Sequence, residues 1–249
     1  MRVLLLLAAA ATLWASETVV LEIPPVTSSV AMKGQPVSIT ASATIARTDA
    51  AWGKEGYRLT VKADLSDLQQ HLTELLAAQL NKDDKCGEQI QVQSATLTPL
   101  EPAGLLTVHL HYERTLCAKA FGRQVSKRMV AGNGIVDVKL TPAVEANKTV
   151  RLTPQVTRMD ADGSLGDLLR SGQLGERVKE KIEESVASSI QKAANVDGTV
   201  PASIQSKVSI QSARFADGGA GRLAVVVIGD VKMTANEEKS LAAAIAARR

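Results

Sequence analysis

Three histidines, two cysteines and two glycine- or aspartate-rich turns are the residues of this 249-residue chain whose types could do chemistry. His109 and His111 stand two apart, which puts both imidazoles on one face of a strand, where they could begin a zinc or copper site. Two ligands do not complete a tetrahedral set. The alternate residues Val108, Leu110 and Tyr112 have the character of a buried face, which turns the histidines outward. A Ser-His-Asp triad would have to use one of these two or His71, and no Gly-x-Ser-x-Gly elbow appears. Asp160-Ala161-Asp162-Gly163 opens like a calcium loop but lacks the later ligand positions, and reads as a solvated turn. Gly218-Gly219-Ala220-Gly221 has the glycines of a phosphate loop. It lies between two strand patterns, though, and lacks the following Lys-Ser/Thr, so it reads as a hairpin turn. No catalytic residue, metal ligand or cofactor is expected, and the chain reads as non-enzymatic.

The cysteines do carry an expectation. Cys86 precedes a strand pattern and Cys117 follows its return strand, with Glu101-Pro102 nearly midway between them. Antiparallel pairing brings such ends together, as a disulfide needs. A redox-active pair would more commonly be spaced Cys-x-x-Cys.

The elements that must position these residues repeat. Val92–Glu113 reads VQSATLTPLEPAGLLTVHLHYE, and Ile210–Asp230 reads IQSARFADGGAGRLAVVVIGD. Gln93-Ser94-Ala95 recurs as Gln211-Ser212-Ala213. Leu97 falls on Phe215 and, after a one-residue gap, Leu106 falls on Leu223, Val108 on Val225 and Leu110 on Val227. Each stretch is a strand, a turn and a strand, hence a hairpin, and each follows an apolar-striped helix. The first helix is N-capped by Ser66, with Gln69 in capping-box position, and carries Leu68, Leu72, Leu75, Leu76 and Leu80 on one face. The second spans about residues 173–194, with Leu174, Val178, Ile182, Val186 and Ile190 four apart. Thr234 with Glu237 caps a last helix. Alternating patterns give strands at Val37–Ile45 and Leu59–Leu65. Asn133-Gly134, within Ala131–Gly134, marks a hairpin turn between residues 124–130 and 135–140. Asn147-Lys148 marks another.

The N-terminus MRVLLLLAAAATLWASE has one positive charge, an apolar run and small residues, the pattern of a secretory signal peptide over residues 1–16. The run is short for a membrane anchor, which needs about 20 residues. Removing Arg2 from the 29 basic residues leaves 28 against 26 acidic, a balance of +2. With no Lys/Arg tract and 2% aromatic residues, nucleic-acid binding is not expected. Hydrophobic residues make up 45% of the chain, almost all aliphatic.

Two long striped helices and two hairpins predict an α+β fold. The helices are expected to lie against one face of a long antiparallel sheet, with a possible internal duplication. Residues 17–249 would form a single domain with pseudo-repeat halves of about 17–120 and 121–249. In element order and helix stripes the chain resembles the tubular lipid-binding superfamily over most of residues 20–249. That resemblance implies a strongly curved antiparallel β-sheet wrapped around two long helices, with an elongated aliphatic channel for acyl chains. Its expected lining is Leu72, Leu76, Leu110, Ile182, Val186, Ile190, Val225 and Val227, and its ligand a lipid or other hydrophobic molecule. The protein would be exported, to the periplasm or the extracellular space. The alternative is a non-catalytic envelope structural or adaptor protein with a solid core and an envelope protein partner.

Overall fold

The structure is a computed structural model and describes residues 18–32, 34–48, 56–81, 86–120, 123–146, 149–170, 180, 204 and 206–247. Strands β1 (Thr18–Met32), β2 (Gln35–Thr48) and β3 (Gly56–Asp64) are followed by helix α1 (Ser66–Leu80). Then come β4 (Gly87–Leu100), β5 (Ala103–Ala120), β6 (Arg123–Glu145), β7 (Thr149–Ala161) and helix α2 (Gly163–Arg170). The chain closes with β8 (Val208–Asp217), β9 (Leu223–Val231) and helix α3 (Ala235–Ala246). One sheet has the order β1-β2-β3-β9-β8 and the other β4-β5-β6-β7, with every pairing antiparallel.

This corrects the expected architecture. The chain does not wrap one curved sheet around two long helices; it is mostly antiparallel strand in two sheets. Among the described residues α1, at 15 residues, is the longest helix. The second long helix, expected over residues 173–194, lies outside the described residues. Long alternating strands let the two sheets bury their apolar faces together, and α1 packs on β4 of one sheet and on β2 and β9 of the other. β8 packs across on β4, β5 and β6.

The alternation expected in β2 and β3 is present. Val37, Ile39, Ala41, Ala43 and Ile45 are buried, as are Leu59, Val61, Ala63 and Leu65. Leu68, Leu72, Leu75, Leu76 and Leu80 form the buried stripe of α1. β9 is central, between β3 and β8. β1 is an edge strand, and its register shifts between Ile23 and Val26, where Pro24-Pro25 interrupts the ladder. Proline is tolerated at such an edge because it withholds only a donor that no neighbour needs.

Three local readings change. First, β6 runs unbroken for 23 residues through Ala131-Gly132-Asn133-Gly134, so no hairpin turn forms there. Neither glycine has the positive φ that an Asn-Gly hairpin turn requires. Their lack of a side chain serves packing instead. A Cβ on Gly132 would lie 3.1 Å from Leu165 Cβ in α2, and one on Gly134 would lie 3.2 Å from the Asp160 carbonyl. Second, Ser66 is the first helical residue of α1, and Leu65 holds the N-cap position without a side-chain bond. The carboxylate of Asp64 accepts from the Ser66 backbone N–H at 2.8 Å.

Third, Gln69 closes no capping box. Its amide nitrogen donates to the carbonyls of Leu97 (2.7 Å) and Gly221 (3.1 Å), and its oxygen accepts from the Leu223 N–H (2.7 Å). One side chain thus joins α1 to β4 and to the β8–β9 hairpin.

The two hairpins share one irregularity at matching positions. In β4, Val92 pairs with Leu110 and Ser94 with His109, which leaves Gln93 as the extra residue of a bulge. In β8, Ile210 pairs with Gly229 and Ser212 with Ile228, which leaves Gln211 in the same position. Val92 and Ile210 both pack on the core. The second strands align two residues away from the expected register: Leu97 pairs with Leu106 and Phe215 with Val225, so Leu106 corresponds to Val225 and not to Leu223. The connection from Asp217 to Leu223 is longer than that from Leu100 to Ala103, and a shift of two keeps each side chain on its face. The sheet order does not repeat. The tripeptide Arg-Leu-Thr occurs twice, but Arg58-Leu59-Thr60 of β3 sits mid-sheet while Arg151-Leu152-Thr153 lies in the edge strand β7.

Cys86 and Cys117 are bonded, with Cα atoms 5.7 Å apart. Closing a loop with a sequence separation of 31 stabilises by roughly 3–4 kcal/mol in the chain-entropy model. Two outcomes are expected. The purified, unreduced, denatured protein should titrate no free thiol, and reduction should lower the urea midpoint accordingly. Gln69→Leu should lose about 2–4 kcal/mol in urea unfolding, because it strands backbone groups that the amide satisfies; a loss under about 0.5 kcal/mol, the usual range for a surface change, would remove Gln69 from this role.

Candidate functional site

The apolar core between the sheets is where five of the expected ligand-lining residues meet. Leu72 and Leu76 reach it from α1, Leu110 from β5, and Val225 and Val227 from β9, all within one continuous cluster. Each is at most 5% exposed, and Leu72 and Leu76 are 0%. Ile182, Val186 and Ile190 lie outside the described residues. Strand alternation explains the convergence: Leu106, Val108, Leu110 and Tyr112 follow one another at every second position of β5 and are all buried. Phe215, which sequence reasoning matched to Leu97 but did not place in the lining, is fully buried in this cluster. Its N–H donates to the Pro102 carbonyl at 2.9 Å, which locks the second hairpin to the turn of the first. Glu101 adds to that lock by accepting from Arg214 and from the Asp217 N–H, both at 3.1 Å.

At one end of the first sheet a cleft of about 700 Å³ opens beside α3, with Tyr57, Lys207, Asp230 and Glu237 among its walls. The sequence signal for α3 was correct. Thr234 Oγ1 accepts from the Glu237 N–H, and the Glu237 carboxylate accepts from the Thr234 N–H at 2.9 Å, a complete capping box. The Lys207 ammonium also donates to Glu237. The bond from Lys207 comes first, and with those from Thr234 it holds the Glu237 carboxyl down to about 2.

Its neighbour Glu238 accepts from the Tyr57 hydroxyl at 2.7 Å and from the Arg47 guanidinium at 3.0 Å. The Tyr57 bond leads in holding Glu238 below the usual carboxylate range, and the same bond pushes the Tyr57 phenol up. Both carboxylates are therefore engaged in fastening α3 to β2, β3 and the segment before β8. A general acid would need the opposite shift, toward neutral pH.

The outward placement expected for the histidines is observed. His109 is exposed, and His111 Nδ1 lies 3.0 Å from Asn133 Oδ1. His71 sits on α1, its Nδ1 2.9 Å from the Asp67 carbonyl oxygen. Among the described residues no group of three or more His, Cys, Asp or Glu side chains could hold a metal ion. The solvated turn expected at Asp160–Gly163 does not form: Asp160 and Ala161 end β7, Gly163 opens α2, and the Asp162 N–H between them donates to the Asn133 carbonyl at 3.0 Å.

No protein-family model, curated protein or solved structure matches this chain.

The Glu237 clasp has a defined pH dependence. A carboxyl depressed from 4.5 to about 2 contributes stability above its unfolded pKa and loses it as pH falls toward its folded one. Urea unfolding of the parent and of Glu237→Gln should therefore differ by a constant amount above pH 4.5. The two curves should converge as pH approaches 2; a gap that persists there would mean that Glu237 does not titrate in this contact.

Proposed function

We propose that this is an exported, non-catalytic protein that binds or transfers a lipid or similar hydrophobic ligand, with acyl chains held among the aliphatic side chains between the two sheets. One observation carries the reading: Leu72, Leu76, Leu110, Val225 and Val227, contributed by α1, β5 and β9, belong to a single aliphatic cluster. Burying an acyl chain there would contribute about 0.8 kcal/mol per methylene. The resemblance to the tubular lipid-binding superfamily supports the ligand class, although the two-sheet architecture departs from that family's helix-wrapping sheet. The Cys86–Cys117 bond is compatible with export. Among the described residues no helix is long and apolar enough to cross a membrane. The signal-peptide pattern of residues 1–16 supports delivery to the periplasm or beyond.

A second reading is favoured by a specific observation. Leu72, Leu76 and Val225 are at most 1% exposed, so along these side chains the cluster is already filled by the protein itself. That packing suits an envelope structural or adaptor protein with a solid core.

Solvent extraction of natively purified protein, followed by lipid mass spectrometry, separates the two. A carrier is expected to release lipid in proportion to protein, and Leu72→Trp should then lower uptake of a labelled fatty acid with the fold retained. A solid core releases none, and Leu72→Trp should destabilise it by roughly 1–3 kcal/mol or more through overpacking. Absence of lipid, absence of uptake and an unfolded variant together leave the structural reading.

A further inference from the structure

The second sheet extends past itself at one end. β4 begins at Gly87, paired with Thr115, and β7 ends at Ala161, paired with Gly134. Beyond those points, among the described residues, β5 and β6 continue as a pair, with Leu116 paired to Lys127, Cys117 to Ser126 and Ala118 to Val125. At about 3.3 Å per residue, the five-residue stretch from Leu116 to Ala120 projects on the order of 15 Å. The disulfide from Cys86 to Cys117 ties the base of this ribbon to the start of β4.

Its composition is unlike that of the rest of the molecule. Residues 114–130 hold five basic side chains (Arg114, Lys119, Arg123, Lys127 and Arg128) and no acidic one. The whole chain carries +3, so the remainder nets 3 − 5 = −2. Arg128 pairs with Glu113 at 3.1 Å, at the base. The same ribbon exposes large apolar side chains: Leu116 at 50%, Val125 at 54% and Met129 at 50%. Directly paired residues share a face, as do alternate ones, so Leu116, Ala118, Val125 and Lys127 lie together on one side. A bulge at Met129 separates this end from the core-facing part of β6, since Arg114 pairs with Val130 and Thr115 with Arg128. Beyond it, side chains on the continuation of the buried face of β5 meet solvent.

We propose that the β5–β6 ribbon docks the protein on an anionic lipid bilayer surface. Exposed apolar side chains interleaved with cations match the boundary between charged headgroups and acyl chains, where apolar groups insert and each nearby Lys or Arg is attracted by the negative surface. A protein interface would more commonly avoid lysine at its centre. The proposal does not rest on an interior lipid site, because a protein with a solid core could dock in the same way.

Flotation of the full chain with phosphatidylcholine vesicles, and with vesicles that also contain phosphatidylglycerol, tests it. Binding is expected only to the phosphatidylglycerol vesicles, and it should fall steeply with added salt. Lys119→Glu with Lys127→Glu should reduce the partition coefficient at least about tenfold, given the attraction of each cation to the surface. Leu116→Ser with Val125→Ser should weaken binding while leaving its salt dependence in place. Ala118→Trp should give a blue-shifted emission on phosphatidylglycerol vesicles, relative to the parent protein. Equal binding to both vesicles, no binding, variants that bind like the parent, or an Ala118→Trp emission unchanged by vesicles would each overturn the proposal. So would a ribbon variant that changes only the oligomeric state.

Discussion

The amide of Gln69 is the contact on which the two sheets converge. A primary amide presents donors and an acceptor in a fixed planar arrangement, so satisfying the Leu97 and Gly221 carbonyls and the Leu223 N–H sets the distance between the two hairpins. The Leu65 N–H reinforces it by donating to the Leu223 carbonyl at 2.9 Å, one turn earlier on the same face of α1. Aliphatic burial supplies most of the driving force beneath, but it is non-directional. Leucines and valines would pack in several registers. The polar groups around Gln69 and Glu101 select one, and they do so at the point where helix, first hairpin and second hairpin meet.

Much of the local structure was legible because its signals are local. The alternation in β2, β3 and β5, the leucine stripe of α1, the capping box at Thr234 and the placement of Cys86 and Cys117 about one turn each need only a short window. What failed were the readings in which a distant partner decides. Asn133-Gly134 carries a turn preference, yet the approach of Leu165 and Asp160 uses the glycines of that stretch for space. Gln69 stands in capping position by spacing, yet its partners lie in β4 and the β8–β9 hairpin. Leu72, Leu76, Leu110, Val225 and Val227 share one buried cluster because each follows a periodic pattern. The Arg47–Tyr57–Glu238 cluster was invisible, since its members are brought together from opposite ends of the chain with no periodicity to mark them.

Charge is handled in two ways in this molecule. Around α3 the Glu237 and Glu238 carboxylates have cationic and phenolic partners, and the result is a fastened helix. Along the outer part of β5 and β6 the cations have no acidic residue among them in sequence, and the field they create extends into solvent to about the Debye length, ~8–10 Å at ordinary salt. The aliphatic surface that accompanies them is held out in two strands, and among the described residues no third strand covers it. Sheets usually manage such exposed ends by shortening or covering them. Here the strands are instead prolonged and cross-linked at their base.

The pairing of β3 with β9 has a consequence for how the chain reaches this state. Tyr57 faces Val231 and Asp64 faces Ala224, so strands more than half the chain apart are direct neighbours in the middle of a sheet. Until the C-terminal hairpin has been made, β3 has an open edge, with apolar Leu59, Val61 and Ala63 beside it. Non-local β pairing of this kind is slow because a long loop must close first, and an open apolar edge is a template for pairing with other chains in the meantime. A chain truncated before residue 223 would keep that edge permanently. The last tenth of the sequence is therefore what converts an association-prone intermediate into a closed one.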